Sequence, residues 1–351
     1  MKIFLSVFII LVLLSSSIIS QTEMVKVTDD VYAFIGPDPT ADWVDGNSVA
    51  IFGSGGVFVV DANIVSPSSE KTVGFIGEHT TDPVKYVLVT HWHYDHYLGM
   101  ESFTKAFPGL EIITHTETRR LMLNNIPRYL AVSVKTFQDE IDTAKAELLR
   151  GTKADGTPLT KYEIGRSEKS VKDADYYMPA LKNSVFIPPT VTFDSEMNIW
   201  LGEKEIQIRH YGRGNTPGDA FVYLPKEKIL VTGDLLVYPI PYAFGCYPTE
   251  WIKTLKQMSQ LDADIIIPGH GNIQYNKDYI LNVIDALQIV VDRVSKLAKD
   301  GMSLEEVKKN ANFDDLKTKL AGGDEDKLWT FDNYFITPII PRAYQEAKGT
   351  L

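Results

Sequence analysis

Apolar residues along this chain change their spacing several times, and the changes divide it into segments. Between Gln21 and Thr90 they gather in short runs rich in β-branched and aromatic side chains, VYAFIG, NSVAIFGSGGVFVVDAN and VKYVLVT, broken by glycines and polar turns. Such runs predict strands, and SVAIF–GSGG–VFVVD predicts a hairpin. LGMESFTKAF then has helical spacing, LEIITH reads as a strand and TETRRLMLNN as another helix. Strand, loop, helix and strand in that order predict a sheet with layers on both sides. Residues 126–185 are mostly helical in pattern, with a loop at TKADGTPLTKYEIG, and are read as a helical insertion rather than a separate domain. From Pro188 the strand pattern resumes in TVTFD, MNIWLG, KEIQIRHYG, DAFVYLP and KILVTGDLL. A helix over Glu250–Gln260 leads to the apolar run ADIIIPGHG, and residues 277–347 return to helical spacing.

The first twenty residues, MKIFLSVFIILVLLSSSIIS, follow a different rule. A positive Lys2, an apolar run from Ile3 to Leu14 and small serines after it form the pattern of a secretory signal peptide over 1–20. The run is short for a bilayer span, and an uncleaved anchor is the alternative. The protein is therefore expected to be exported, periplasmic or secreted, as one domain over 21–275 with a helical extension over 276–351 packed on it. The chain carries 35 basic and 46 acidic residues, net −11, without a basic block. That balance argues against nucleic acid and anionic membrane as partners and leaves a small-molecule substrate as the expected one. Oligomeric state is not legible. Cys246 is the single cysteine, so no internal disulfide staples the core.

Four strand-like runs end in loops that carry metal-ligand chemistry: THWHYDH (90–96), GRGNTPGD (212–219), VTGDLL (231–236) and IIPGHG (266–271). If their strands are parallel neighbours, these loops converge at one edge. Imidazole and carboxylate together suit zinc, iron or manganese. His91 and His93, two apart, can face one ion, and Asp95 and His96 can face a second. Asp234 can bridge with its two oxygens, and His270, in a glycine-flanked turn, can complete the second site.

HxHxDH (His91, His93, Asp95, His96), the G-x-G-x-T-P-G-D stretch (Gly212–Asp219), TGD ending at Asp234 and PGHG around His270 occur in the order seen in metallo-β-lactamase-fold hydrolases. The chain resembles that superfamily over roughly residues 25–275, less the insertion. The resemblance implies an α/β fold: an αββα sandwich, two mixed sheets face to face with helices outside and metal at one edge. It implies zinc, one or two ions per chain, with iron or manganese as the other options. It also implies His91, His93, Asp95, His96, Asp234 and His270 as ligands. The family's third motif reads G-x-G-H-T, and its histidine binds the first metal. Here GRGNT puts Asn215 in that place. A neutral amide oxygen binds transition metals more weakly than imidazole, so Asn215 is a weak ligand or a spectator and the first site is impaired.

The activity implied is hydrolysis of an ester, thioester, lactone or amide by metal-activated water, with Asp95 or Asp234 orienting that water. Tyr94, inside the histidine motif, is a candidate to lean on the substrate or to donate a proton. The alternatives are a mononuclear iron oxygenase such as a persulfide dioxygenase, a β-lactam hydrolase, and a degenerate binding protein. Asp61, ending VFVVD, matches the family residue that supports the histidine loop by accepting a hydrogen bond from it. His210 is a candidate substitute ligand or a strand-end histidine, and His115 a pocket or loop histidine. His79 is expected to be solvated and Cys246 to be a small buried thiol. The loop FIGPDPTADWVDGNS is a candidate flap over the site, with Trp43 expected to be exposed.

Overall fold

The structure is a computed structural model that describes residues 22–351, the side chains of 127–129 excepted; the expected signal peptide lies outside the described residues. The first sheet has seven strands in sequential order: β1 (Glu23–Lys26), β2 (Val31–Ile35), β3 (Ser48–Gly53), β4 (Gly56–Val60), β5 (Val84–Leu88), β6 (Glu111–His115) and β7 (Val191–Phe193). The expected hairpin is β3–β4, with Val49 opposite Val60 and Phe52 opposite Val57. From β4 to β7 the pairing is parallel, so these strands end on the same edge. Their crossovers are α1 (Ser66–His79), α2 (Met100–Ala106) and the pair α3 (Thr116–Arg150) and α4 (Lys161–Lys182).

The second sheet holds β8 (Glu196–Leu201), β9 (Lys204–Arg209), β10 (Phe221–Leu224), β11 (Ile229–Val231) and β12 (Ile265–Ile267), in the order β12-β11-β10-β9-β8. Only β11 and β12 pair in parallel here. α5 (Pro248–Met258) joins those two strands. The chain then ends in α6 (Asp278–Lys299), α7 (Leu304–Asn310), α8 (Asp314–Ala321), α9 (Glu325–Thr330), a π-helical turn over Phe331–Ile336 and α10 (Thr337–Lys348).

Strand alternation sorts the apolar side chains into three cores. Phe58 and Val60 of β4 meet Val222 and Leu224 of β10 between the sheets. Their neighbours Val57 and Val59 point the other way, into a core with Phe103 of α2 and Leu181 of α4. Phe221 and Leu230 point outward from the second sheet, toward Trp251 of α5, Leu287 of α6 and Ile339 of α10. Helices, sheet, sheet and helices are the four layers of the expected αββα sandwich. Among the described residues no helix is long and apolar enough to cross a membrane.

Two local expectations change. TETRRLMLNN and the helical stretch after it form one helix of 35 residues, α3. It starts where His115 Nδ1 accepts the Glu117 N–H and stops at Gly151, whose left-handed backbone favours glycine. Trp43, expected to be exposed, is buried. Its ring stacks on Tyr177 with centroids 5.4 Å apart, and its Nε1–H donates to Ser170 O at 3.1 Å. Both partners lie on α4, more than a hundred residues away, and the cover they form is not visible in the loop's own composition.

Candidate metal centre

Asp61 follows β4 in a left-handed conformation, φ 58°, which is costly for a residue with a side chain. Its backbone is held on both sides: its N–H donates to Leu88 O, and its carbonyl accepts from Ser48 Oγ, each at 2.8 Å. Its carboxylate organises the histidine loop that follows β5. Thr90 N–H donates to Asp61 Oδ1 and Thr90 Oγ1–H to Oδ2, both at 2.8 Å. With its only hydroxyl hydrogen used, Thr90 Oγ1 accepts from His91 Nδ1–H at 3.0 Å. His96 Nδ1–H donates to Asp61 Oδ2 at 2.8 Å. These partners assign the same tautomer to both rings and leave each Nε2 lone pair for a ligand.

Four donor atoms converge at the centre of the site. His96 Nε2 lies 3.1 Å from His270 Nε2 and 3.5 Å from Asp95 Oδ2. His270 Nε2 lies 3.0 Å from Asp95 Oδ2. Asp234 Oδ1 is 3.3 Å from His96 Nε2 and 3.5 Å from His270 Nε2. An ion bound tetrahedrally at about 2 Å from nitrogen and oxygen donors sets neighbouring donors about 3.3 Å apart. These five separations fit that spacing, and among the described residues Asp234 Oδ1 is buried without a hydrogen-bond partner. The residues present therefore fit a metal ion.

The other half of the site is built on His91. His91 Nε2 is 3.0 Å from His93 Nδ1 and 3.5 Å from Asp234 Oδ2, so Asp234 does turn one oxygen to each half. Yet His93 joins neither of the two close-set triads among the described residues, His91–His96–Asp234 and Asp95–His96–His270. Asn215 is fully buried, and among the described residues neither of its amide atoms has a partner.

Charge also calls for a cation. Asp61, Asp95 and Asp234 are buried, and their ion-pair partners among the described residues are histidines alone. Burial opposes charge on Asp95, but His96 and His270 overcome it and hold its carboxyl down at about 2. Asp234 is held well below the ordinary carboxylate range in the same way: burial opposes, and His96, His270 and His91 win. Burial likewise opposes charge on His96, and the Asp234, Asp95 and Asp61 carboxylates carry it well above the usual imidazole value. His93 is driven down to about 3, by burial first and His91 second.

Two glycines allow the loops to close. A side chain on Gly46 would meet Asp95 O and the His96 ring at 2.8 Å, and one on Gly269 would meet Asp234 Oδ1 at 2.1 Å. Asn47 pins the His270 turn to the first sheet. Its Nδ2 donates to Pro268 O and Gly271 O, both at 2.9 Å, and its N–H to Gly269 O at 2.7 Å. Thr90 and Asn47 were not singled out from the sequence. Thr90 does head the histidine motif, whereas Asn47 carries no local signal.

The remaining candidates lie around this centre. Tyr94, Asp95 and His96 form a single 3-10 turn, and the Tyr94 ring packs 6.1 Å from Phe137 in the aromatic cluster under α3. His115 and His210 stack at 4.0 Å and are engaged by backbone, His115 Nε2–H with Asp194 O and His210 Nδ1–H with Asp219 O, each at 2.8 Å. Neither joins the triads. His79 is exposed at the end of α1, and Cys246 is a buried thiol that burial makes hard to ionise. Tyr242, not foreseen, packs its ring 5.1 Å from His270.

Known proteins resemble this chain to different extents. Residues 41–270, about two thirds of the chain, match the profile of the metallo-beta-lactamase superfamily. A linear primary-alkylsulfatase from Pseudomonas sp. (strain ATCC 19151) is 21% identical over 271 residues, covering 72% of this chain and 47% of that protein. The stereoselective inverting sec-alkylsulfatase Pisa1 from Pseudomonas superposes with a TM-score of 0.63 at 15% identity, over 93% of this chain and 50% of its own. A metallo-beta-lactamase from Pontibacter korlensis superposes with a TM-score of 0.54 at 19% identity, over 76% of this chain and 99% of its own. The chain thus spans about half the length of the alkylsulfatases it matches. With the four-layer sandwich and the ordered histidine and aspartate loops already in place, the matched profile establishes that the chain belongs to the metallo-β-lactamase superfamily.

Proposed function

We propose that this protein is a metal-dependent hydrolase of small ester-type substrates, with one working ion held by Asp95, His96, Asp234 and His270. The observation that supports it is that His96 Nε2 and His270 Nε2 lie 3.1 Å apart, each with Asp95 Oδ2 and Asp234 Oδ1 at 3.0–3.5 Å. Bound there, an ion such as zinc supplies Lewis acidity, polarising the bond attacked and making water a better nucleophile near neutral pH. Asp61 and Thr90 hold the histidine rings in register. Asp95, the more exposed of the two donor carboxylates, accepts the hydrogen bond that orients the attacking water. Asp234 presents its second oxygen to the His91 side. Tyr94 is the candidate to lean on the substrate or to donate a proton. The candidate bonds are esters, thioesters, lactones and amides, and the alkylsulfatase relatives add sulfate esters. The site is proposed to work after export, once residues 1–20 are removed.

Elemental analysis per chain, after purification without chelator, tests this together with hydrolysis of an ester panel. One zinc per chain and hydrolysis that chelator abolishes and zinc restores are expected. One iron per chain with oxygen uptake and no hydrolysis overturns the hydrolase in favour of an oxygenase. A folded chain that takes up neither metal overturns both.

A further inference from the structure

Asn215 has the least satisfied side chain in the buried site. It is fully buried, and among the described residues neither Oδ1 nor Nδ2 has a hydrogen-bond partner. The turn that carries it is otherwise complete. Thr216 donates its N–H to Asp219 Oδ2 at 2.8 Å and its hydroxyl to Asp219 Oδ1 at 2.7 Å, and Tyr247 N–H donates to Gly214 O at 2.8 Å. Ala220 N–H donates to Thr90 O at 2.8 Å, which sets the turn beside the residue preceding His91. Buried amides in folded proteins are almost always paired, so this one calls for a bound partner.

The two ends of the carboxamide indicate the partner's sign. A cation takes only Oδ1 and leaves both Nδ2 hydrogens buried and unpaired. Orphaned donors are rarer in proteins than under-used carbonyl oxygens. An anionic oxygen takes the Nδ2 hydrogens and leaves only the better-tolerated acceptor. The surroundings agree. His93, the would-be partner ligand, stands outside both close-set triads, and among the described residues the site carboxylates pair with histidines and with no lysine or arginine, so an anion here depends on a neutral donor such as Asn215.

We infer that Asn215 is a substrate-binding residue, whose Nδ2–H donates to a charged oxygen of the substrate on the His91–His93 side. This rests on the hydrolase reading and narrows it. Meeting the ion with one oxygen and Asn215 with a charged one is most simply done by a single group with several non-bridging oxygens. A neutral carboxylic ester has one. Monoesters of a tetrahedral oxyanion, sulfate or phosphate, have three.

The test uses the full metal-loaded chain and calorimetric titration with inorganic sulfate, inorganic phosphate and acetate. The wild type is expected to bind sulfate or phosphate, and the preferred one identifies the ester. Asn215→Ala is expected to weaken that binding at least tenfold with the same number of ions per chain. Asn215→Asp, which keeps the size and removes the donors, is expected to abolish it, and it serves where the alanine variant folds poorly. Wild type that binds neither tetrahedral anion, unchanged affinity in both variants, or loss of an ion in Asn215→Ala each overturns the proposal. Anion affinity is read without turnover, so a chain that binds sulfate but hydrolyses no ester refutes the hydrolase reading and leaves the role of Asn215 standing.

Discussion

Asp61 Oδ2 accepts from His96 Nδ1 at 2.8 Å, and the same oxygen accepts from the Thr90 hydroxyl that in turn receives His91. One carboxylate outside the donor set thereby fixes two rings. Partners that orient metal-ligating histidines change metal affinity by about 10–100-fold when removed. Asp61→Ala should therefore raise the metal dissociation constant by about that factor, measured by competition with a coloured chelator. An unchanged constant would show that the rings hold their tautomers without it.

The two halves of the site should respond unequally. Asp95→Asn and His270→Ala each remove a corner of the tight donor set and should leave the purified chain without its ion. His93→Ala should retain it. Elemental analysis of the three variants decides the matter, and loss of the ion in His93→Ala would instead place the working ion in the His91–His93 half.

Gly46 is a steric requirement. Any Cβ there sits 2.8 Å from both the Asp95 carbonyl and the His96 ring. Gly46→Ala must push the 36–47 loop off the histidine turn, at a cost of about 1–3 kcal/mol in unfolding free energy, as for other overpacked core positions. Urea denaturation of the metal-loaded forms measures this, and a cost under about 0.5 kcal/mol would mean that the loop yields freely.

Asp45 gives the fold a pH signature. Its carboxyl is 1% exposed, and burial pushes it up to about 6, against the pull of Ser68 and the Ile64 N–H. The folded chain therefore binds this proton more tightly than the unfolded chain, whose value is about 4. The sign follows: the stability that protonated Asp45 contributes is complete below about pH 4 and is lost as pH rises through about 6. Asp45→Asn stays neutral throughout, so it should be more stable than wild type by about 2–3 kcal/mol at pH 7.5 and by nearly nothing at pH 4. Equal differences at the two pH values would exclude the effect.

The layers and most donors were legible because they are local signals. Alternating runs such as VFVVD form strands wherever one face is buried, and HxHxDH carries its spacing with it. What was hidden depends on distant partners. Trp43 looked exposed because nothing near it announces α4. Asn47 lies in a loop, and only the fold brings it to Pro268 and Gly271. The asymmetry between the halves was half visible, since Asn215 could be read as a poor ligand, but its unpaired amide and the absence of His93 from both triads of the described residues are tertiary facts.

The donors come from both sheets: Asp95 and His96 follow β5 in the first, while Asp234 and His270 follow β11 and β12 in the second. An ion shared among them acts as a clasp across the seam of the sandwich, in a chain whose lone thiol can form no internal crosslink. Holding the halves together and loading the site would then draw on one binding free energy. Ion binding adds to folding stability by mass action, so the strength of the whole fold follows the free metal concentration around it.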